Sequence, residues 1–382
     1  SYALFEKSPE ELEAFLKNGE FAGLNVTIPY KKDVIPYLDE LSERAAELGA
    51  VNTIVRRKDG SLFGHNTDYF GFRFMLERSG LNVSGKKVLV LGSGGASATA
   101  VAVLQKENAK VIVISRNGKN NYHNLYLHKE ASVIVNTTPV GMYPETGISP
   151  VDLNQFPQLE GVLDVIYNPA RTKLLLDAEE RGLVSENGLW MLIAQAKESA
   201  EWFTNTRIDD RNISEIYSVL RNQMENIVLV GMPGCGKSTI GRLLADHLNR
   251  KFIDTDAEIE KQAGIAIPQL FESAGEDGFR KWETAILAQY SKESALVIAT
   301  GGGCVTRKEN YHALHQNGRI FWIKRDLSLL PTEGRPLSVA NKLDEMYRLR
   351  KPMYEAFADF QIDNNRCTEE TISQILKMEG FK

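Results

Sequence analysis

Short apolar runs typical of buried strands alternate along the chain with segments whose apolar residues have helical spacing. Residues 86–91 and 109–114 are two such runs, separated by a helical segment, and residues 226–230 are a third run, followed by helical spacing over 239–248. A strand, a helix and a second strand in this order are typical of a βαβ unit. The pattern therefore predicts an α/β protein.

The first residues of the chain predict a strand and a helix. Residues 2–5 are strand-like, and Ser8, Pro9 and Glu11 then form a capping-box sequence with proline at the first helical position. Such a sequence is typical of a helix start, and we expect this helix to run to about Asn18.

Composition limits the classes of protein to which the chain can belong. With 382 residues, of which 43% are hydrophobic and 25% charged, it has the make-up of a folded protein of about two or three domains. Its 45 basic and 50 acidic residues give a net charge of −5, without the basic patch of a general nucleic-acid-binding protein. We expect small anions as partners, and no membrane, since no apolar run approaches the ~18 residues of a span.

The cysteines and histidines do not indicate a metal site. Cys235, Cys304 and Cys367 are far apart and lack CxxC spacing, which argues against a disulfide framework or a zinc site and favours the reducing cytoplasm. His312 and His315 have helical spacing but no third ligand near them in the sequence. We interpret both as surface residues.

Residues 231–239 form a complete phosphate-binding loop, Gly-Met-Pro-Gly-Cys-Gly-Lys-Ser-Thr. Its glycines allow backbone N–H groups to turn toward a polyphosphate, Lys237 adds a catalytic cation at the β- and γ-phosphates, and Ser238 offers a hydroxyl to Mg²⁺. The apolar run before the loop and the helical segment after it supply the context that the motif requires. The loop predicts binding of Mg²⁺ and ATP through Gly234, Cys235, Gly236, Ser238 and Thr239.

Three polar clusters end short apolar runs early in the chain. They are residues 25–31 (Asn-Val-Thr-Ile-Pro-Tyr-Lys), 50–53 (Ala-Val-Asn-Thr) and 64–72 (Gly-His-Asn-Thr-Asp-Tyr-Phe-Gly-Phe). Each cluster alone is compatible with ordinary turn chemistry. In this order they resemble the motifs NVTxPxK, AVNT and GxNTDxxGF of shikimate dehydrogenase. Further matching motifs extend the resemblance over about residues 1–217, and they lie at residues 135–142, 164–169 and 191–196.

The apolar runs at 86–91 and 109–114 enclose a glycine-rich turn typical of dinucleotide binding. The third glycine of that fingerprint is replaced by Ser97, so we expect slightly looser packing of the helix on the strand. The second strand ends in Arg116, where an NAD enzyme has an acidic residue. Arginine suits a 2′-phosphate and predicts NADP, although the family commonly has another arginine where this chain has Ala98. The cofactor contacts expected in the turn are Gly92, Gly94, Gly95 and Ala96.

The resemblance implies reduction of a ring ketone by hydride from NADPH. It makes Lys31 the proton donor, with Asp68 as its partner across the cleft, and a protonated lysine also stabilises a developing alkoxide. On charge alone, Lys31 beside Lys32 could equally be a solvated surface lysine. His65 is interpreted as structural. Further implied contacts are Thr27, Asn52 and Gln195 for the substrate, and Thr138 and Met142 for the cofactor.

The start of the chain departs from the family pattern. The family has an N-terminal strand and a Ser-x-Ser loop whose hydroxyls bind the substrate carboxylate. The only early serines here are Ser1 and Ser8, and Ser8 has a role as a helix cap. We therefore expect the first domain to be truncated at its N-terminus and its dehydrogenase activity to be impaired.

Further polar elements follow the phosphate loop, and in their order they resemble shikimate kinase over about residues 225–382. They are Asp-Thr-Asp at 254–256, Phe-Arg at 279–280, three glycines at 301–303, Gly-Arg-Pro-Leu at 334–337 and Arg-Lys-Pro-Met-Tyr at 350–354. Asp254 is expected to hold the metal together with Ser238, and Asp256 to hydrogen-bond the attacking hydroxyl. Arg335 is implied to close with a lid onto the phosphates. Implied shikimate contacts are Asp256, Arg280, Gly301, Gly302, Gly303 and Arg350.

The two resemblances rest on separate motifs and imply consecutive steps of one pathway. We predict an α/β substrate-binding domain over residues 1–83, completed by helices within 188–217, and a Rossmann-type NADP domain over 84–187. A P-loop (nucleoside monophosphate kinase-like) three-layer α/β domain follows over 225–382. The predicted function is a bifunctional shikimate dehydrogenase and shikimate kinase. In the alternatives, the first half is catalytically impaired or a binding scaffold, or it uses quinate.

Overall fold

The computed structural model describes residues 2–330 and 340–379. These residues form two compact units. The first unit comprises the chain up to Pro139 together with Pro150–Tyr167 and Asp177–Tyr217. The second comprises Val140–Ser149, Asn168–Leu176 and the chain from Ser218 onward.

The first unit begins with a four-stranded sheet of order β1-β3-β4-β2. Its β1 and β4 pair antiparallel with β3, while β2 is parallel to β4. Buried apolar side chains such as Leu16, Val51 and Ile54 form a core against the sheet. The elements of this region are α1 (Leu12–Asn18), β1 (Gly23–Asn25), β2 (Glu40–Leu41), α2 (Glu43–Leu48), β3 (Thr53–Arg56), β4 (Leu62–His65) and α3 (Asp68–Ser79).

The structure confirms the predicted helix start and contradicts the predicted first strand. The backbone N–H of Ser8 donates to Oε2 of Glu11 across 2.9 Å, and α1 ends at Asn18. Residues 2–8, in contrast, form no strand. Tyr2 and Leu4 are 75% and 94% exposed. A strand needs a hydrogen-bonded neighbour, and a local sequence pattern does not supply one.

A parallel five-stranded sheet follows in the same unit, with the order β6-β5-β7-β8-β9. Helix α4 connects β5 to β6, which confirms the predicted βαβ unit. A short 3₁₀ helix, Leu125–His128, lies between β6 and β7. The elements are β5 (Lys87–Leu91), α4 (Gly95–Lys106), β6 (Lys110–Ile114), β7 (Val133–Asn136), β8 (Gly161–Asp164), α5 (Lys173–Glu180), β9 (Val184–Asn187), α6 (Leu189–Thr204) and α7 (Arg211–Met224). The residues of α5 and of α7 are divided between the two units.

The second unit is built on another parallel five-stranded sheet, of order β11-β12-β10-β13-β14. Its core contains the fully buried side chains of Trp322, Phe321 and Tyr354. The elements are β10 (Asn226–Val230), α8 (Lys237–Leu248), β11 (Lys251–Asp254), α9 (Thr255–Ala263), α10 (Ile267–Ser291), β12 (Leu296–Ala299), α11 (Glu309–His315), β13 (Gly318–Lys324), α12 (Ala340–Phe357), β14 (Phe360–Asp363) and α13 (Thr368–Glu379). The predicted α/β fold class is confirmed.

Strand β11 ends at Asp254, where the Asp254 carboxylate accepts from the backbone N–H of Asp256 and caps α9. One local expectation for this unit is wrong. His315 is not a surface residue: it is 4% exposed, and its Nε2 lies 3.3 Å from Oδ1 of Asp359. In the part of the chain that the structure describes, no helix is both long and apolar enough to cross a bilayer.

Two candidate active sites

Lys31 and Asp68 are at the centre of a polar site in the first unit. The Lys31 Nζ donates to Oδ2 of Asp68 across 2.6 Å, although 37 residues separate the two in sequence. Lys31 lies on the loop after β1, and Asp68 is the first residue of α3. Their side chains are 27% and 16% exposed, so the pair is accessible from one side. The structure thus brings together the two side chains to which the sequence assigned proton transfer.

Asn52 holds the carboxylate of Asp68 in place. Its Nδ2 donates to the Asp68 Oδ1 across 2.8 Å, and its Oδ1 accepts from the backbone N–H of Thr67 across 2.8 Å. The Thr53 hydroxyl donates to the same oxygen across 3.0 Å. Asn52 is 3% exposed. Because both polar ends of this buried amide are paired, its orientation is fixed.

Gln195 and Thr27 lie at two other positions around this site. The Oε1 of Gln195, on α6, is 3.5 Å from the Thr67 hydroxyl, and its Nε2 donates to the Leu192 carbonyl. Helices α3 and α6 approach closely at Gly71, where a Cβ would lie 2.6 Å from the Met191 carbonyl oxygen. Thr27 is exposed on the loop that carries Lys31. Glutamine and threonine therefore supply polar groups from different elements.

The glycine-rich turn after β5 is shaped to receive a ligand. Gly92 has φ +109°, which favours glycine, and a Cβ there would lie 2.8 Å from the Thr137 hydroxyl. A Cβ at Gly94 or Gly95 would meet nothing within 4 Å, so open space lies beside the N-terminus of α4. Backbone N–H groups at a helix N-terminus attract phosphate. Ala96 is the next residue of that helix.

The buried Ser97 side chain links α4 to the glycine-rich turn through a hydrogen bond. It is 2% exposed, and its hydroxyl donates to the Gly92 carbonyl across 2.8 Å. Serine at the third position of the fingerprint therefore ties the helix to the turn. The expected looser packing at this residue stays a prediction.

The remaining predicted cofactor residues lie at the carboxyl ends of strands or just beyond them. Arg116 is exposed two residues after the end of β6, and Ala98 is exposed on α4. Thr138 is fixed by Asn136, whose Oδ1 accepts from the Thr138 backbone N–H and from its hydroxyl. Met142 belongs to a segment of the second unit and is 45% exposed.

The phosphate-binding loop joins β10 to α8, as predicted. Gly231, Gly234 and Gly236 all have positive φ, and this leaves the loop N–H groups on its concave side. Lys237 is 8% exposed, and its Nζ donates to the carbonyls of Gly231 and Met232. The Lys237 Nζ also lies 3.9 Å from Sγ of Cys235. A buried lysine whose partners are uncharged still attracts an anion.

A cavity of about 1090 Å³ extends from this loop across the second unit. Small-molecule pockets are commonly about 300–1,000 Å³, so the cavity has room for two substrates side by side. It brings together most of the kinase residues predicted from sequence. Its lining includes Gly234, Gly236, Lys237, Ser238, Thr239, Asp254, Asp256, Arg280, Gly301, Gly302, Gly303 and Arg350.

Of the predicted phosphate-loop residues that the structure describes, Cys235 does not line the cavity. Cys235 is fully buried beneath the loop, where its carbonyl accepts from Nδ2 of Asn364 across 2.7 Å. Its backbone N–H donates to the Met232 carbonyl across 3.2 Å. Arg335 and the rest of the predicted lid motif lie outside the described residues.

Asp256, beside the phosphate loop, has a carboxylate oxygen without a hydrogen-bond partner among the described residues. This oxygen, Oδ1, is buried. Burial and the neighbouring Asp254 raise the pKa of Asp256, while Lys237 and Arg280 act in the opposite direction. A carboxylate of raised pKa is suited to accept a hydrogen bond or a proton from a hydroxyl.

Asp256→Asn removes the ionisable carboxylate, and we expect it to stabilise the protein in the absence of substrates. Because the folded-state pKa is raised, ionisation of Asp256 lowers stability once the pH exceeds the unfolded-state pKa, and the loss is complete above the folded-state pKa. The variant should therefore melt a few degrees (about 2–4 °C) above the wild type at about pH 8. At about pH 4 the two should melt alike. Thermal unfolding at both pH values measures this, with the exposed Asp246→Asn as control. An equal gain at both pH values would contradict the electrostatic explanation.

Glu283 belongs to the site, although the sequence analysis did not identify it. It is fully buried, and its Oε2 accepts from Nη1 of the equally buried Arg280 across 2.7 Å. Burial raises the pKa of Glu283, and Arg280 opposes this shift. The available signal was spacing: residues three apart on a helix lie on one face. An arginine of the site is therefore held by a carboxylate on its own helix.

The three-glycine loop after β12 passes close to every part of this site. A Cβ at Gly301 would lie 2.7 Å from Glu283 Oε1 and 2.8 Å from Asp256 Oδ1, and one at Gly303 would lie 2.1 Å from an Arg280 nitrogen. The Gly302 carbonyl accepts from Nη1 of Arg350 across 3.2 Å and from the Tyr354 hydroxyl. Burial raises the pKa of Tyr354, so this hydroxyl keeps its proton. A side chain at any of the three positions would displace one of these groups or Pro233 of the phosphate loop.

Comparison with known proteins separates the two halves in the same way. The family model for "Shikimate kinase" matches residues 233–379, and that for "Shikimate dehydrogenase substrate binding domain" matches residues 1–54. The shikimate dehydrogenase (NADP(+)) of Clostridium perfringens strain 13 is 38% identical over 213 residues, which are 52% of this chain and 78% of that protein.

Two solved structures are similar in sequence to parts of this chain. A chorismate mutase/shikimate 5-dehydrogenase fusion protein from Clostridium acetobutylicum is 38% identical, covers 56% of this chain and 84% of its own, and has a TM-score of 0.54. A shikimate kinase from Acinetobacter baumannii, solved in complex with shikimate, is 37% identical over 42% of this chain and 96% of its own, with a TM-score of 0.40. From the relatives and the family models, the chain belongs to the shikimate dehydrogenase family and carries a shikimate kinase domain in its second half, which makes it a bifunctional enzyme of the shikimate pathway.

Proposed function

We propose that the first unit reduces 3-dehydroshikimate to shikimate with NADPH, and that the second unit phosphorylates the 3-hydroxyl of shikimate with Mg²⁺ and ATP. The observation that carries the first activity is the Lys31–Asp68 pair, held by Asn52. The second activity is supported by one cavity that contains both the phosphate loop and the Asp256 and Arg280 side chains.

The residues present fit the cofactors of both reactions. The turn from Gly92 to Gly95 leaves open space at the N-terminus of α4, where a pyrophosphate would bind. Arg116 is exposed two residues after the end of β6, where it would bind a 2′-phosphate. In the second unit, Ser238 and Asp254 both line the cavity and offer oxygen atoms, which are the ligands Mg²⁺ prefers. The bound nicotinamide supplies the hydride, and Mg²⁺ neutralises charge on the phosphates.

In the proposed reduction, the chain itself moves and holds the proton. The Lys31 Nζ gives a proton to the carbonyl oxygen as that oxygen becomes an alkoxide, and its positive charge stabilises the oxygen before transfer. Asp68 holds the ammonium group at 2.6 Å and so fixes its direction. Asn52 in turn fixes Asp68. Gln195 and Thr27 offer hydrogen bonds to the hydroxyls of the ring.

In the proposed phosphorylation, the residues position two substrates and handle one proton. Arg280 and Arg350 bind the carboxylate of shikimate, since a guanidinium pairs with a carboxylate through two parallel hydrogen bonds. Asp256 accepts a hydrogen bond from the attacking hydroxyl, and Lys237 neutralises charge on the transferring phosphoryl group. Glu283 keeps Arg280 in position.

Two assays on the unmodified chain test the proposal. One follows formation of NADPH from NADP⁺ with shikimate or with quinate, and the other follows shikimate-dependent formation of ADP. We expect activity with shikimate in both assays, with the dehydrogenase activity reduced, in line with the impairment predicted from the sequence. Activity with quinate alone in the first assay would assign the first unit to quinate instead. Kinase activity without any dehydrogenase activity would support a non-catalytic or impaired first unit.

We also propose that the chain acts in the cytoplasm on small molecules. Its described cysteines, Cys235, Cys304 and Cys367, are all free thiols, as is usual in a reducing compartment.

Arg116→Ala is expected to weaken use of NADP⁺ by about 10- to 100-fold in kcat/KM, and to change use of NAD⁺ little. A guanidinium gains about 1.5–3 kcal/mol from charge-assisted hydrogen bonds to a 2′-phosphate, and it gains nothing comparable from a ribose hydroxyl. Steady-state kinetics with both cofactors measure the change. Lys110→Ala, at the opposite end of β6, is the control. Equal losses with both cofactors would contradict the assignment of Arg116 to the 2′-phosphate.

A further inference from the structure

Ser199 is the meeting point of a buried polar network behind the candidate dehydrogenase site. It lies on α6 and is 1% exposed. Its hydroxyl oxygen is 2.9 Å from the Thr53 hydroxyl, 3.0 Å from the Thr67 hydroxyl and 3.0 Å from Nδ2 of Asn25. These three partners come from the ends of β1 and β3 and from the start of α3. One small side chain thus contacts all three polar motifs of the substrate-binding region.

The Ser199 hydroxyl can both donate and accept within this network. A hydroxyl has one proton to donate and two lone pairs with which to accept. Asn25 can only donate through its Nδ2, and Thr53 donates its own proton to Oδ1 of Asn52. Ser199 therefore donates to Thr53 and accepts from Asn25. The Thr67 hydroxyl has one proton, and Ser199 shares it with Oδ1 of Asn52 at 3.2 Å and Oε1 of Gln195 at 3.5 Å. Without the Ser199 hydroxyl, each of these groups loses a partner in a buried setting, which is costly.

The network leads from Ser199 to the reacting groups in three steps. Thr53 and Thr67 both contact the amide of Asn52, at 3.0 Å from the Thr53 hydroxyl to Oδ1 and 2.8 Å from the Thr67 N–H to Oδ1. Asn52 donates to Asp68, and Asp68 accepts from Lys31. The direction of the Lys31 ammonium group therefore depends on groups whose positions Ser199 fixes.

The placement of Ser199 on α6 adds a second link. Ser199 follows Gln195 by four residues, so both side chains lie on one face of the helix. Gln195 contacts the same Thr67 hydroxyl across 3.5 Å. At Gly71, α3 approaches α6 so closely that a Cβ there would lie 3.0 Å from the Cβ of Gln195. Helix α6 thus contributes to the site twice, through one half-buried amide and one buried hydroxyl.

We propose that Ser199 is a positioning residue for the dehydrogenase reaction, which holds Asn52 and Asp68 so that the Lys31 ammonium group points at the carbonyl oxygen of the substrate. The inference rests on the proposed function of the first unit. Ser199 is buried and does not touch the substrate. Its effect is therefore expected in the catalytic step and in the pH dependence, not in substrate binding.

Ser199→Ala tests this inference. We expect kcat for shikimate oxidation to fall about 10- to 100-fold, the loss typical when reacting groups are displaced by about 1 Å. The KM for shikimate should stay within about threefold, because no contact to the substrate is removed. The pH profile of kcat should also shift, since the surroundings of Lys31 change. Thr204→Ala, on the exposed end of the same helix, is the control and should behave as the wild type.

A second variant covers the outcome in which Ser199→Ala does not fold. Ser199→Cys keeps a side chain of similar shape with a weak S–H donor, and we expect a loss of kcat between those of wild type and Ser199→Ala, with the pH profile shifted in the same direction. Kinase activity of each variant and circular dichroism report folding. Unchanged kcat and pH profile in either folded variant would overturn the inference. If the wild type itself does not oxidise shikimate, the proposed function fails instead, and this is seen before any variant is measured.

Discussion

Lys31→Ala should lower kcat/KM for shikimate oxidation by about 10²- to 10⁴-fold, the range that a positioned general acid or base supplies. The variant removes the only group of the pair that can donate a proton, and it leaves the Asp68 carboxylate without its 2.6 Å partner. Shikimate-dependent formation of ADP by the same chain should be unchanged, because the kinase cavity is lined by residues from the second half of the sequence alone.

The neighbouring residue provides a matched control for this experiment. Lys32 has the same chemistry one position further along but is exposed, so Lys32→Ala should retain wild-type dehydrogenase activity. NADPH absorbance and ADP release are measured on one preparation of each variant. A parallel collapse of kinase activity in Lys31→Ala would show that the two activities are not independent. Equal effects of the two lysine variants would remove Lys31 from its proposed role.

Lys237→Ala is expected to reduce kinase turnover by about 10³-fold and to leave shikimate oxidation unchanged. The ammonium group is 8% exposed within the phosphate loop and is the loop's own cation. Phosphoryl transfer depends mainly on positioning and on neutralising charge at the phosphates, so the loss should appear in kcat and in the KM for ATP. ADP release at varied ATP concentration measures both parameters.

Lys261→Ala is the control for Lys237, because Lys261 is 72% exposed on α9 and lies outside the cavity. It should have wild-type kinetics in both assays. If Lys237→Ala retains most of its kinase activity, the cavity does not use this loop for the transferring phosphate. Loss of shikimate oxidation in Lys237→Ala would again indicate that the two activities depend on each other.

Elements of the fold with strong local signals were predictable from the sequence. Apolar periodicity predicts the β5–α4–β6 unit and the strand–loop–helix around Lys237. The turns of both contain glycines whose φ is positive, and these glycines marked the turns in the sequence. Residues 2–5 have an equally strand-like pattern, yet they form no strand. Pairing depends on a neighbouring strand, which a local pattern does not contain.

The candidate sites were predictable only in part. Spacing alone does not place Lys31 beside Asp68 across 37 residues, and the pairing was expected from the family resemblance. Glu283 and Ser199 were not identified, because a carboxylate near an arginine on a helix, or a serine inside a helix, usually has no more than a local role. His315 was assigned to the surface, since its partner Asp359 is far away in sequence. These three residues are identified by their burial, which depends on the tertiary structure and not on the local sequence.

The three-glycine loop of the second unit lies between the phosphate loop and the groups assigned to shikimate in the proposed kinase reaction. Gly302 packs against Pro233 of the phosphate loop, where a Cβ would lie 2.6 Å from the proline ring, while Gly301 and Gly303 pack against the carboxylates and guanidinium that face the other substrate. A methyl group at Gly302 would push the phosphate loop away from the three-glycine loop. Effective molarity in two-substrate reactions decreases steeply with such separation. In the proposed reaction, the absence of side chains on this loop therefore allows the phosphoryl donor and the acceptor hydroxyl to lie close together.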